Sequence, residues 1–167
     1  PALQRAGGVA RILDREARLL VEEGAVDVAG REPIRVAPFR AVVEDLAARP
    51  PPGRISATIE GAAESVAALA DAEPVDALAA LGVAPDDISG RIRADLSLAG
   101  PFDEPMDPDA LEWGLAATLR NVSSDAPVAG RTVSDADLEV SANPRRFSID
   151  GTARIDGIEA TISYSEL

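Results

Sequence analysis

Apolar and polar residues alternate with a period of two through most of the second half of the chain. Ile92, Ala94, Leu96 and Leu98 are interleaved with Arg91, Arg93, Asp95 and Ser97. That period predicts a half-buried strand. Leu111, Trp113, Leu115, Ala117 and Leu119 repeat the pattern against Glu112, Gly114, Ala116, Thr118 and Arg120. It returns at Ala136, Leu138, Val140 and Ala142, at Phe147, Ile149, Gly151, Ala153 and Ile155, and at Ile158, Ala160, Ile162 and Tyr164. Successive strands with no long helical pattern between them predict an antiparallel meander. Asn143-Pro144 is a turn signal and Asp156-Gly157 a hairpin signal. The Pro-rich stretch Pro101 to Asp109 predicts a longer loop, and so does Asn121 to Arg131, with its Ser, Pro and Gly.

The first third is less regular. Residues from about Ala17 to Ala29 predict one or two strands around Glu22-Glu23-Gly24. Ile34, Val36 and Pro38 share one parity, and an apolar run continues through Val42 and Val43 to Leu46. Pro50 to Gly53 predicts a rigid loop, after which Ile55, Ala57 and Ile59 fall on one face. The one helical pattern runs from about Ala62 to Leu81. Val66, Leu69 and Ala70 form one stripe and Ala77, Leu78 and Leu81 another. Pro74 divides them, at a position where a first helical turn tolerates it. Glu73 and Asp76 suit the dipole there, and Gly82 supplies a stop, so two short helices are expected.

Strands of about ten residues span roughly 30 Å, and each presents one apolar face that water will not tolerate over a wide area. Three covers are open: the helical segment lies over the sheet, the sheet curls on itself, or an apolar ligand fills a cleft between curled walls.

Composition narrows the function classes. Hydrophobic residues make up 46% of the 167, which suits a folded chain. Aromatics are only 3%, so the core must be aliphatic. A net charge of -13 argues against nucleic acid and against charge-driven docking on anionic membranes. The chain has no Cys and no His, which removes thiol, disulfide, zinc-finger and Ser–His chemistry. No segment approaches the roughly 20 apolar residues of a membrane helix. The chain begins at Pro1 without Met, and is expected to be an internal piece of a longer protein.

Polar candidates have bland explanations. Asp103, Glu104, Asp107 and Asp109 offer oxygen ligands, but their spacing does not match an EF-hand loop, and no metal is expected. Asp86-Asp87 after Pro85 fits turn chemistry better than acid–base catalysis. Ser123-Ser124 have no His partner. Arg145-Arg146 fit either a phosphate contact or an exposed hairpin tip. No catalytic residue and no cofactor are expected.

The order of motifs carries a resemblance. Leu81-Gly82-Val83-Ala84-Pro85 is followed by Ile88-Ser89-Gly90 and a strand ending in Gly100-Pro101. Then come Leu119-Arg120-Asn121-Val122, the run Gly130 to Leu138, and Ile149 to Ala160. From about Ala62 onward this succession resembles the central region of the YhdP family, among the AsmA-like envelope proteins of Gram-negative bacteria. The resemblance implies a periplasmic protein held in the inner membrane by an upstream anchor. It implies repeating β-grooves, apolar inside, that carry phospholipid between inner and outer membrane and serve outer-membrane biogenesis and homeostasis. It brings no catalytic residues, so the chain is not expected to be an enzyme.

The expected fold is therefore mainly β (α+β): a long, strongly curved antiparallel β-meander forming a groove, with one short split helical segment. Residues 1–61 would supply N-terminal strands, 62–82 the helical insertion and 83–167 the C-terminal meander, all in one continuous domain. Phospholipid acyl chains would lie against Leu96, Leu98, Leu111, Trp113, Leu115, Leu138, Val140, Phe147, Ile149, Ile158 and Ile162. Neighbouring groove segments of the full-length protein are the other expected partners, with no nucleic acid. The competing expectation is a non-catalytic structural or assembly scaffold of the envelope, with a dry core.

Overall fold

The computed structural model describes residues 2–13, 15–28, 30–71, 83–101 and 110–167. The strands are β1 (Ala2–Leu13), β2 (Glu16–Asp27), β3 (Ile34–Val43), β4 (Pro52–Ala62), β5 (Ile88–Pro101), β6 (Glu112–Val128), β7 (Arg131–Asn143), β8 (Arg146–Ile155) and β9 (Ile158–Glu166). Among the described residues there is one α-helix, α1 (Ala63–Ala70), which leaves the end of β4, and a 3-10 turn (Pro85–Asp87) leads into β5. All nine strands form a single antiparallel sheet in chain order, β1 to β9. The order does not return on itself, so β1 and β9 are free margins and the sheet is open. This is the mainly β meander that the period-two pattern predicts.

Tight turns make the meander. Asp156 and Gly157 both take positive φ between the paired Ile155 and Ile158, as a two-residue hairpin requires. Ala129 and Gly130 do the same between Val128 and Arg131. At Asn143-Pro144 the Asn143 side-chain oxygen accepts the backbone N–H groups of Arg145 and Arg146, at 2.9 and 3.0 Å.

The predicted loop over Asn121 to Arg131 is instead strand, because β6 runs unbroken to Val128. Asn121 is an extra residue in β6 relative to both neighbours, and Asp135 is one in β7. Each has a φ of 50°. A single extra residue switches which parity faces the core, and it bends the strand. In β6 the apolar set accordingly changes from Leu115, Ala117 and Leu119 to Val122, and in β7 from Val133 to Ala136 and Leu138. The neighbouring strands make room. A Cβ at Gly90 would sit 2.6 Å from the Asn121 carbonyl oxygen, and one at Gly151 would sit 2.1 Å from that of Asp137.

Two further strands change parity in the same way. In β3 the register jumps between Val36 and Phe39, so Pro38 does not share the face of Ile34 and Val36. Across Glu22-Glu23 the single strand β2 passes from Ala17, Leu19 and Val21 to Gly24 and Val26. β1, which no pattern announced, pairs along β2.

Most of the buried apolar side chains among the described residues gather in two places. Ile34, Ala62, Ala63, Val66, Ala67 and Val83 lie beneath and within α1, which packs on β4, β5 and the 3-10 turn. Ser65, also buried there, donates from its hydroxyl to the Glu32 carbonyl at 2.7 Å. The second cluster is Ala136, Leu138 and Ala153, with Leu119, Val122, Val133, Ile149 and Ile162 packed around it. The expected helix beyond Pro74 lies outside the described residues, as do Asp103, Glu104, Asp107 and Asp109.

Candidate functional site: an open apolar face

Register aligns the apolar residues of adjacent strands into continuous rows that cross the sheet. One row runs Leu19, Ala41, Ile55, Leu98, Trp113 from β2 to β6. The next runs Val21, Phe39, Ala57, Leu96, Leu115, Ala142, Phe147 from β2 to β8. A third runs Val36, Ile59, Ala94, Ala117, Val140, Ile149, Tyr164 from β3 to β9. The parity switches keep these rows on one face despite the irregular strands.

Among the described residues, no second layer covers this face along its length. Trp113 is 43% exposed and Leu96 39%, although both sit mid-sheet in positions that an overlying layer would bury. Among the described residues, the end near Ile34 and Gly61 is closed. There α1 lies over the sheet, and a Cβ placed on Gly61 would meet Ile34 and Val66 side-chain atoms at 3.5 and 3.6 Å. Away from the helix the face dips into a cavity of about 470 Å³. Phe39, Ile55, Ala57, Leu96, Leu98, Trp113 and Leu115 line it, over the backbone of Ser97 and Gly114. Its volume is in the range of small-molecule pockets. No titratable side chain lines it.

The residues nominated from sequence fall on this face but not all in one place. Leu96, Leu98, Trp113 and Leu115 line the cavity. Leu111, just before β6, is half-buried beside Gly100. Val140 and Ile149 are a directly opposed pair, both half-buried. Phe147 is exposed and packs its ring on Tyr164, the centroids 6.2 Å apart. Leu138 is buried in the second cluster with Ile162 against it. Ile158 is 72% exposed at the start of β9. Phe39, Ile55 and Ala57 join the cavity from the N-terminal half. The alternation at 55–59 signalled two of them, whereas the parity jump in β3 hid Phe39.

The other face carries most of the charges, some of them paired across neighbouring strands. Arg93 pairs with Glu60 at 3.2 Å across β4 and β5, and Arg35 with Glu23 at 3.3 Å across β2 and β3. Thr58 donates to Asp95, and Ser163 to Asp150. Arg31 pairs with Asp86 at 2.6 Å, while Asp87 accepts the Ala84 N–H. Asp86 and Asp87 thus fix the turn into β5. Exposed pairs of this kind add little stability individually.

At the C-terminal hairpin Arg131 donates to Asp156, which also accepts the Thr132 N–H. Those two bonds, that from Arg131 first, hold the Asp156 carboxyl below the usual carboxylate range. The Tyr164 phenol is pushed up by its bond to Glu166. Among the described residues no cluster of three or more acidic side chains is placed to hold a metal ion.

No protein-family model, curated protein or solved structure matches the chain.

Proposed function

We propose that this chain binds hydrocarbon tails of lipid on its open apolar face, without catalysing a reaction. The observation that carries the reading is the cavity of about 470 Å³: it is apolar, uncharged and continuous with rows that run over five to seven strands of the sheet. Concave, mostly apolar surfaces of this kind are where hydrophobic ligands bind. Contact of this kind is non-directional, so a tail can slide without breaking specific bonds. Each buried methylene contributes about 0.8 kcal/mol, so half a dozen seated methylenes contribute roughly 5 kcal/mol and hold a single tail reversibly.

The motif order given above supports a more specific version of the reading. In it the chain is a segment of an inner-membrane-anchored, periplasmic AsmA/YhdP-like protein that moves phospholipid toward the outer membrane. Adjoining groove segments would meet it at the β1 and β9 margins. The rival reading, a structural scaffold of the envelope, is favoured by the well-packed cluster at Ala136, Leu138 and Ala153.

Trp113 separates the two readings. It lines the cavity, so phospholipid brominated on its acyl chains should quench its emission strongly, and the unbrominated lipid should not. Unchanged emission with both, together with no lipid in native mass spectra of the purified chain, would leave the scaffold reading standing.

A further inference from the structure

We propose that Arg145 and Arg146, at the turn between β7 and β8, bind the phosphate of an amphiphile whose tail lies on the adjoining apolar row. This rests on the hydrocarbon-binding reading and adds a head-group class to it.

The first support is the state of the arginines. Arg18, Arg31, Arg35, Arg54, Arg91, Arg93, Arg131 and Arg154 each have a carboxylate partner. The Arg49 guanidinium is taken up by the carbonyls of Leu46 and Ala48. Arg11, Arg15, Arg40, Arg120, Arg145 and Arg146 are exposed and have no ion-pair partner among the described residues, and of these Arg145 and Arg146 alone are adjacent in the chain. In a chain of net charge -13, two neighbouring unpaired guanidinium groups are a local reversal of sign. Planar guanidinium groups match phosphate oxygens in a bidentate fashion.

Placement is the second support. The two arginines line a cavity of about 250 Å³ together with Asn143, Phe147 and Glu166. Phe147 ends the row that starts inside the apolar cavity and passes through Leu115 and Ala142. From Leu115 to Phe147 is two strand spacings, about 10 Å, within the reach of one acyl tail. The turn that carries Arg145 and Arg146 thus lies at the end of the apolar row.

Charge then decides the ligand class. Glu166 sits in the same small cavity, its carboxylate accepting the Tyr164 hydroxyl at 3.0 Å, and it repels an anion from its own side. The excess negative charge of the whole chain also disfavours free phosphate, over a screening length of about 8 Å. The ligand is an amphiphile carrying phosphate, and its tail supplies the part of the affinity that holds the anion against this field.

The test compares dodecyl phosphate, dodecyl maltoside and inorganic phosphate on the full chain, below micelle-forming concentrations, by calorimetry and Trp113 emission. Dodecyl phosphate should bind about tenfold more tightly than dodecyl maltoside. The double variant R145Q/R146Q should lose that preference and keep its maltoside affinity, while Glu166→Gln should strengthen phosphate binding. Equal affinities in the parent chain, or a preference that survives R145Q/R146Q, would overturn the arginine tip and leave tail binding intact. Inorganic phosphate binding as tightly as dodecyl phosphate would overturn the amphiphile. If neither detergent bound, the tip and the hydrocarbon reading would fall together.

Discussion

The carboxylate of Asp137 accepts the backbone N–H of Asn121 at 2.9 Å, from the strand beside the one in which Asn121 is the extra residue. The arrangement is repeated in the opposite sense: Asp135, the extra residue of β7, donates its N–H to the Ser123 hydroxyl of β6 at 3.0 Å. A bulge leaves a backbone donor without a ladder partner, and here each such donor is met by a side chain on the facing strand. The bend in the sheet is thereby specified by sequence.

Loss of these devices should be measurable by urea unfolding. Asp137→Ala removes one hydrogen bond and should cost about 1 kcal/mol. Gly151→Ala should cost about 3 kcal/mol, because its Cβ would fall 2.1 Å from the Asp137 carbonyl oxygen at a backbone φ of +150°. Gly61→Ala meets only ordinary contacts at 3.5 Å and beyond, and should change stability by no more than about 0.5 kcal/mol. Equal effects at the two glycines would contradict this account of the bend.

Stability and binding should separate along the apolar face. Leu138 is buried among Ala136 and Ala153, so Leu138→Ala should destabilise by about 2–5 kcal/mol. Leu96 is 39% exposed in the cavity wall, so Leu96→Ala should cost about 1 kcal/mol in stability yet weaken tail binding. Chemical denaturation and a detergent titration on the same two variants check the split. A Leu96 variant as unstable as the Leu138 variant would mean that the cavity is part of a closed core.

A charge placed in the cavity gives a sharper form of the same expectation. Leu98→Glu puts a carboxylate among Ile55, Leu96 and Trp113 on an open face where water can still reach it. The protein should remain folded by circular dichroism, while quenching of Trp113 by brominated lipid should fall at least several-fold.

Acid should loosen the C-terminal hairpin at a definite point. The folded-state pKa of Asp156 is depressed, so its bonds to Arg131 and Thr132 stabilise the fold at and above the ordinary carboxylate range. That contribution disappears as pH falls through the depressed folded value. Carboxyl NMR should find Asp156 titrating below the ordinary Asp value, and Arg131→Ala should move it up toward that value. An unmoved midpoint in that variant would remove Arg131 as the main cause.

Strand identity was legible wherever parity held for several residues, as at 92–98 and 147–155. It failed where a residue was inserted. Asn121 looked like the start of a loop because Asn, Ser, Pro and Gly followed it, yet a bulge uses the same residue types that a turn does. Phe39 escapes the alternating pattern because a residue is likewise inserted before it in β3. Leu138 and Leu96 are indistinguishable as letters in an alternating pattern. What separates them is that Leu138 is packed against Ala153 and Ile162, whereas Leu96 is not overlain. Long-range packing of that kind has no local signature. The turn at Asp156-Gly157, by contrast, depends on two neighbouring residues alone and was read directly.

The apolar rows run across the strands and not along them, and this sets the grain of the surface. Movement parallel to a strand is stopped at one end by Val66 and its helix. Among the described residues, movement from strand to strand meets no such wall over β3 to β6, and each step advances about 4.8 Å. Every additional hairpin would lengthen all of the rows together by about 10 Å, so reach in this architecture scales with the number of strands while the cross-section stays the same.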